Sequence, residues 1–395
     1  MKKLRILVTF GTRPEAIKLA PVIHELEEQE LFEPIVCVTA QHREMLDQVL
    51  RFFEIRPDYD LDLMRPDQSL YEITANSIRG LEGVLEETKP SWVLVQGDTT
   101  TTLMAALAAF YKKVPVAHVE AGLRTADKYA PFPEEINRRL TSHIADLHFA
   151  PTERARRNLL SEGVPESAIV VTGNTVIDAL LWTVERVRSL PACVDPTVFE
   201  LLKNCDRRLL LVTAHRREAF GEGLREICLA LQDLARRQEI VIIWPVHLNP
   251  HACRPVMELL APVAHDLTDS RRLQGEIKKN LILLDPADYP TLVWLLDRSH
   301  LVLTDSGGIQ EEAPTLGKPV LVLRDVTERP EGVEAGTARL VGPHRAKIVE
   351  TVEQLLSDVE QYKRMSRASN PYGDGRARHR IVEALLARSS ETSHS

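Results

Sequence analysis

Glycine is scarce in this chain, 18 in 395 residues, and the patterns in which glycine usually announces a nucleotide are missing. G-x-G-x-x-G does not occur: "GEGLRE" at 221 and "GDGRAR" at 373 both lack the third glycine. G-x-x-x-x-G-K-[ST] is absent too, so a dinucleotide enzyme and a P-loop ATPase are disfavoured. Cysteine is equally sparse. Cys37, Cys193, Cys205, Cys228 and Cys253 are odd in number and contain no C-x-x-C, which argues against a disulfide frame or a zinc site and for a reducing, cytoplasmic setting. No stretch approaches the ~18 apolar residues of a membrane span. The apolar run in "MKKLRILVTF" is too short for a signal sequence and reads as a first buried strand. A broad basic face is missing as well: 49 Lys and Arg stand against 57 Asp and Glu, a formal net charge of -8, which counts against a general nucleic-acid binder.

What the chain does have is short apolar runs rich in β-branched residues, alternating with amphipathic stretches. "RILVTF", "PIVCVTA", "SWVLVQG", "VPVAHVE" and "DLHFAP" fill the first half, and "LLLVTAH", "IVIIWPV", "LILLDP", "SHLVLTD" and "KPVLVLR" the second. Runs without polar alternation, separated by helices such as 14–28 and 99–111, predict parallel strands covered on both faces. The fold class is therefore α/β, built twice: an N-terminal Rossmann-like domain over 1–172 and a second over 173–370. A last helix, about 374–388, follows the turn-rich "SNPYGDG" and is expected to pack back on the first domain. The tail "SSETSHS" has nothing apolar to bury.

In doubly wound sheets, ligands gather beyond the carboxyl ends of the strands, so the strand ends carry the functional reading. The first strand ends in "FGTRPEAIK", where a tight turn at Gly11, the helix start at Pro14 and the charges of Arg13 and Lys18 suit an anion. The run "HLVLT" ends in Ser306, Gly307 and Gly308, the chain's single Gly-Gly pair, at the start of the helix "GIQEEAPTLG". Unhindered N–H groups at a helix N-terminus make a seat for a diphosphate, and Glu312, one turn on, is placed to accept the hydroxyls of a ribose. Asp98 and Glu120 end "WVLVQGD" and "VPVAHVE", and Glu134 follows in "PFPEE". Acids at successive strand ends can have their pKa values pushed apart for acid and base roles. Their plainer readings are a helix N-cap for Asp98, an ion pair with Arg124 for Glu120, and a helix-dipole residue for Glu134. "TAHRRE" adds His215 and Arg216, "WPVHLNPH" adds His247, and "RDVTERPEG" adds Arg329. His247 and His251 are four apart, but Pro250 between them and the lack of a completing cluster argue against a metal.

Together, "FGTRPEAIK", "TAQHREMLDQVL", "GDTTTT", "HVEAGLRT", "PFPEE", "TGNTVIDAL", "TAHRRE", "PVHLNP", "DSGGIQEEAP", "TERPEG" and "NPYGDG" resemble the bacterial non-hydrolysing UDP-N-acetylglucosamine 2-epimerases, collinearly from about residue 4 to residue 388. The resemblance implies two Rossmann-like domains facing a central cleft, the GT-B type. It also implies an isomerase that inverts C2 of UDP-GlcNAc to give UDP-ManNAc for cell-surface polysaccharide, without metal or cofactor. The implied route eliminates UDP to leave 2-acetamidoglucal and then adds it back. By the same resemblance Arg13, Lys18, His215, Ser306, Gly307, Gly308, Glu312 and Arg329 bind UDP, and Asp98, Glu120, Glu134 and His215 are catalytic. Gln41, His42, Gln68 and Glu135 resemble part of a regulatory site for a second UDP-GlcNAc, although Asp67 stands where some relatives have Arg. Ala287 and Leu292 depart from some relatives beside the uracil. A homodimer is implied, with neither nucleic acid nor membrane as partner. The competing readings are a GT-B glycosyltransferase, a hydrolysing epimerase and a sugar-nucleotide sensor without turnover.

Overall fold

The computed structural model describes residues 3–40, 43–63, 65, 68–125, 127–216, 220–268 and 279–392. The chain divides into two compact units, residues 1–179 with 372–395 and residues 180–371, and the helix Thr175–Ser189 carries the chain from one to the other. Each unit holds one seven-stranded sheet in which every pairing is parallel. The first contains β1 (Leu4–Phe10), β2 (Phe32–Val38), β3 (Tyr59–Asp60), β4 (Trp92–Gln96), β5 (Val116–Val119), β6 (Leu147–Ala150) and β7 (Ile169–Val171), in the order β3-β2-β1-β4-β5-β6-β7. The second contains β8 (Arg208–Thr213), β9 (Ile240–Pro245), β10 (His265–Leu267), β11 (Leu281–Leu284), β12 (Ser299–Thr304), β13 (Val320–Val322) and β14 (Ala338–Leu340), in the order β10-β11-β9-β8-β12-β13-β14.

These orders fix where loops converge. Successive strands run outward one way from β1 and the other way from β4, so the connections after this adjacent pair diverge and leave a crevice at their carboxyl ends. β8 and β12 form the same switch in the second sheet. The strands there are covered on both faces, which is why they read as unbroken apolar runs: β4 is buried throughout, and Leu210, Leu211, Val302 and Leu303 are fully buried on β8 and β12. Each such side chain contributes about 1.5–3 kcal/mol of burial free energy.

Local chemistry sets the helix starts. In the helix Arg13–Glu28 the Glu15 carboxylate turns back to accept from Thr12 N–H at 2.8 Å and Gly11 N–H at 3.0 Å. Ser69 and Glu72 make the reciprocal pair at the start of the helix Leu70–Thr88. The last helix, Ala377–Thr392, packs on Arg13–Glu28 and is moored by the Asp178 carboxylate, which accepts from Ala377 and Arg378 N–H at 3.2 and 3.1 Å. His379 Nδ1 lies 2.9 Å from Glu25. Among the described residues no helix is long and apolar enough to cross a membrane.

Two glycines mark opposite limits. Gly122 has φ +88°, and a Cβ there would sit 2.3 Å from the carbonyl oxygen of Ala155, whereas Gly83 lies exposed within Leu70–Thr88 with nothing near its missing Cβ. Urea unfolding is expected to show Gly122→Ala destabilised by about 2–3 kcal/mol or more. Gly83→Ala is expected to be stabilised by about 0.5–1 kcal/mol.

Candidate active site

In the first unit the β1/β4 switch gathers carboxylates. Asp98 stands two residues past β4, and the residue that caps the following helix Thr100–Tyr111 is Thr99, whose hydroxyl accepts from Thr102 N–H at 3.1 Å. Asp98 is thereby left to other partners. Arg138, on the helix Glu134–Ile144, donates to its Oδ2 at 2.6 Å, and Asn137 Nδ2 donates to its carbonyl at 2.9 Å. The Asp98 side chain keeps 27% of its surface open. Burial of its surroundings raises its pKa most; Arg138 opposes this, Glu120 adds to it, and Lys18 and Glu134 follow with smaller effects of opposite sign.

Glu120 directly follows β5 and has φ +62°, a left-handed backbone that a glutamate adopts at a cost of order 1–3 kcal/mol. Three donors hold it there. Lys18 Nζ lies 2.7 and 2.6 Å from its two oxygens, Asn174 Nδ2 donates to Oε1 at 2.9 Å, and Gln96 Nε2 donates to Oε2. Its side chain is 5% exposed. The plainer reading of Glu120, an ion pair with Arg124, does not hold, because Arg124 instead grips Glu162 through Nε at 2.8 Å and Nη2 at 2.6 Å. Glu134 begins its helix, half-buried, and Arg13 does likewise at the start of Arg13–Glu28.

Behind these acids lies a second tier. Glu15 also accepts from Thr99 Oγ1 at 2.7 Å, so one buried carboxylate ties the β1 turn to the β4 turn; burial raises its pKa and these hydrogen bonds hold it down. His118 on β5 donates from Nε2 to the Gly97 carbonyl at 2.7 Å and supports the turn that carries Asp98. Burial pushes this imidazole down to about 3, so it stays neutral.

In the second unit the β8/β12 switch builds a cationic seat. The helix Gly307–Thr315 starts directly behind Asp305 and Ser306, with Ser306 N–H bonded to Thr304 Oγ1 at 3.0 Å. A Cβ added to Gly307 would lie 3.7 Å from both Cζ and Nη2 of Arg329 and 4.0 Å from Arg216 Nη2, so two guanidinium groups flank the glycine pair. Arg329 is oriented by Glu311, to which its Nε donates, and its loop is bound to the helix through Thr327, whose hydroxyl donates to Gln310 Oε1 at 2.6 Å. The Asp305 carboxylate, fully buried, takes both His215 N–H and Arg216 N–H on Oδ2 at 2.7 Å, which holds the β8 loop against the end of β12. Glu312 is buried one turn into the helix, and burial, then the charge of Glu312, push the nearby Tyr289 phenol up. Helix N-terminus, bare glycine backbone and paired arginines together accept a multiply charged anion such as a diphosphate.

Of the sequence candidates, Lys18, Asp98, Glu120 and Glu134 come together in the first unit, and Ser306, Gly307, Gly308, Glu312, Arg329 and His215 in the second. Gln41 and His42 lie outside the described residues. Gln68 is engaged with its own loop, accepting from Arg65 N–H and donating to the Leu63 carbonyl, each at 2.9 Å. Glu135 is fully buried, bonded to Arg139 at 2.7 Å and to Thr125 N–H at 3.1 Å. Sequence reasoning missed Gln96, Arg138, Asn174, Glu15 and Asp305. Two of these left a signal: Arg138 lies one helical turn beyond Glu134, and Asp305 is an acid that directly ends the apolar run of β12.

The chain matches the family model described as UDP-N-acetylglucosamine 2-epimerase over residues 24–386. It is 56% identical over 388 residues to the UDP-N-acetylglucosamine 2-epimerase of Escherichia coli (strain K12), covering 97% of this chain and 98% of that protein. With the protein of that name from Yersinia pestis it shares 55% over 384 residues, at 97% and 98% coverage. Its structure resembles that of UDP-GlcNAc 2-epimerase from Neisseria meningitidis bound to UDP-GlcNAc, with TM-score 0.86, 50% identity, and 97% and 100% of the two chains covered. The Methanocaldococcus jannaschii enzyme in complex with UDP-GlcNAc and UDP aligns with TM-score 0.77 at 34% identity, over 97% and 100% of the chains.

The glycine seat yields a test. A side chain at Gly308 would meet only Glu312 Oε1 at 3.5 Å and Ser306 Oγ at 4.0 Å, ordinary contacts that leave the fold intact. Gly308→Val is expected to keep its melting temperature while losing affinity for a nucleoside diphosphate about tenfold or more in calorimetric titration.

Proposed function

This chain belongs to the UDP-N-acetylglucosamine 2-epimerase family, and on that premise we propose that it interconverts UDP-GlcNAc and UDP-ManNAc by inverting the hexose at C2. The observation that carries the reading is the pairing of two chemistries at two switch points: carboxylates at β1/β4 and a diphosphate seat at β8/β12.

The chemistry follows from what C2 lacks. Its hydrogen is not next to a carbonyl carbon, so no carboxylate removes it unaided at a useful rate. If the C1–O bond breaks as that proton leaves, the C–H electron pair becomes the C1–C2 double bond of 2-acetamidoglucal. The C1–O pair then departs on a diphosphate oxygen, where Arg216, Arg329, His215 and the N–H groups of the glycine pair meet the charge. Addition of UDP back to C1, with a proton delivered to the other face of C2, completes the inversion.

The three acids divide this work. Glu120, clamped by Lys18, Gln96 and Asn174, is held as a fixed charge. Asp98, with open surface and a raised pKa, exchanges the proton, and Glu134, close enough to add to that rise, is the remaining acid for the second proton transfer. We assign UDP recognition to Arg13, Lys18, His215, Ser306, Gly307, Gly308, Glu312 and Arg329. A cytoplasmic, homodimeric enzyme supplying ManNAc units for polysaccharide completes the proposal. Gln41, His42, Gln68 and Glu135 remain the candidates for an activating second UDP-GlcNAc.

In D2O, NMR of the incubated substrate is expected to show UDP-ManNAc bearing deuterium at C2. Inversion without solvent deuterium would remove the elimination route, and accumulation of free ManNAc would indicate a hydrolysing enzyme. Asp98→Asn is expected to bind UDP as the parent does while turnover falls about 10²–10⁴-fold; an unchanged rate would take Asp98 out of the reaction.

A further inference from the structure

We propose that Asp305 is a positioning residue that acts through His215, fixing a proton on its Nδ1 so that Nε2 is presented as the donor of an imidazolium to the departing diphosphate. The inference rests on the reading above, in which His215 faces the leaving group.

The two oxygens of Asp305 do different things. Oδ2 is occupied by the N–H groups of His215 and Arg216, both at 2.7 Å. Oδ1 is fully buried and makes no hydrogen bond, and His215 Nδ1 stands 3.3 Å from it. A buried carboxylate oxygen without a donor costs about 1–3 kcal/mol or more, and a small rotation of the His215 ring would satisfy it with an Nδ1–H. A lone pair at Nδ1 would instead set acceptor against acceptor. The carboxylate therefore selects a protonated Nδ1 and favours the doubly protonated ring.

A second imidazole lies against the first. His247 stacks on His215 with centroids 5.7 Å apart and planes 14° from parallel. Its Nδ1 accepts the Asn249 N–H at 3.0 Å, which holds the ring in this orientation. An aromatic face is a favourable neighbour for a cation laid against it. Asp305 at one edge thus favours charge on His215, and the stacked His247 ring fixes the plane in which it lies. The elimination needs that charge when the C1–O electron pair settles on the phosphate oxygen, because a charged donor holds an oxyanion about twice as strongly as a neutral one.

The test needs no variant to begin. In wild-type protein with ¹⁵N-labelled histidine, the His215 signals being identified by their loss in His215→Asn, Nδ1 is expected to show the shift of a protonated nitrogen at neutral pH. An unprotonated Nδ1 would overturn the proposal. In Asp305→Asn the amide oxygen must accept both backbone N–H groups, which turns an N–H toward Nδ1 and drives the proton to Nε2. That variant is expected to lose about 10- to 100-fold in kcat while KM and the Kd for UDP stay within about threefold. Placed on His215→Asn, it is expected to cost less than about threefold more. Equal losses in KM and UDP affinity, additive with His215→Asn, would mean that Asp305 only braces the loop. Failure of the epimerase reading is separable, since it would show as wild-type protein that makes no UDP-ManNAc whatever the state of Nδ1.

Discussion

The side-by-side pairing of parallel strands whose connections leave in opposite directions governs everything else in this molecule. Where β1 meets β4 and β8 meets β12, no crossover helix can cover both strand ends, so backbone polar groups and short loops remain open to a ligand. The protein uses the opening twice with opposite electrostatics. One switch collects carboxylates whose charge is partly neutralised by Lys18 and Arg138, and the other collects arginines oriented by Glu311 and Glu328. Neither arrangement would survive inside a sheet whose ends were capped.

Holding charge in such places is costly, and the structure shows how that cost is met. Glu120 combines a left-handed backbone with near-complete burial, and the convergence of an ammonium and two amides helps to make this tenable. Glu15 and Asp305 play parallel parts in the two units: each is a buried carboxylate just beyond or beside a switch strand, and each receives backbone N–H groups from a loop that carries site residues. Loop geometry is thus set by charged hydrogen bonds rather than by apolar packing, which gives fixed positions without bulk near the ligand.

The strand ends are where the sequence was most readable, for a physical reason: an apolar run that stops at an acid or a Gly-Gly pair marks the sheet rim directly. Asp98, Glu120, Ser306 and Gly307 all fall there. The short outer strands β3, β7, β10 and β14, two or three residues long, were not expected, because an edge position buries too little to leave an apolar run. Pairings were legible least of all. Asn174 meets Glu120 across 54 residues and Arg138 meets Asp98 across 40, and no local spacing foretells such contacts. Proximity in sequence is no guide to pairing either, since Arg124 lies four residues from Glu120 yet serves Glu162.

The helix Ala377–Thr392 lies against the first unit although it follows all of residues 180–371 in the chain. The second unit is therefore one unbroken stretch of polypeptide, while the first is stitched from two pieces. During synthesis the later-encoded unit has its whole sequence outside the ribosome before its neighbour does. The earlier one must wait with Glu25, Trp92 and Asp178 uncovered until its last helix arrives.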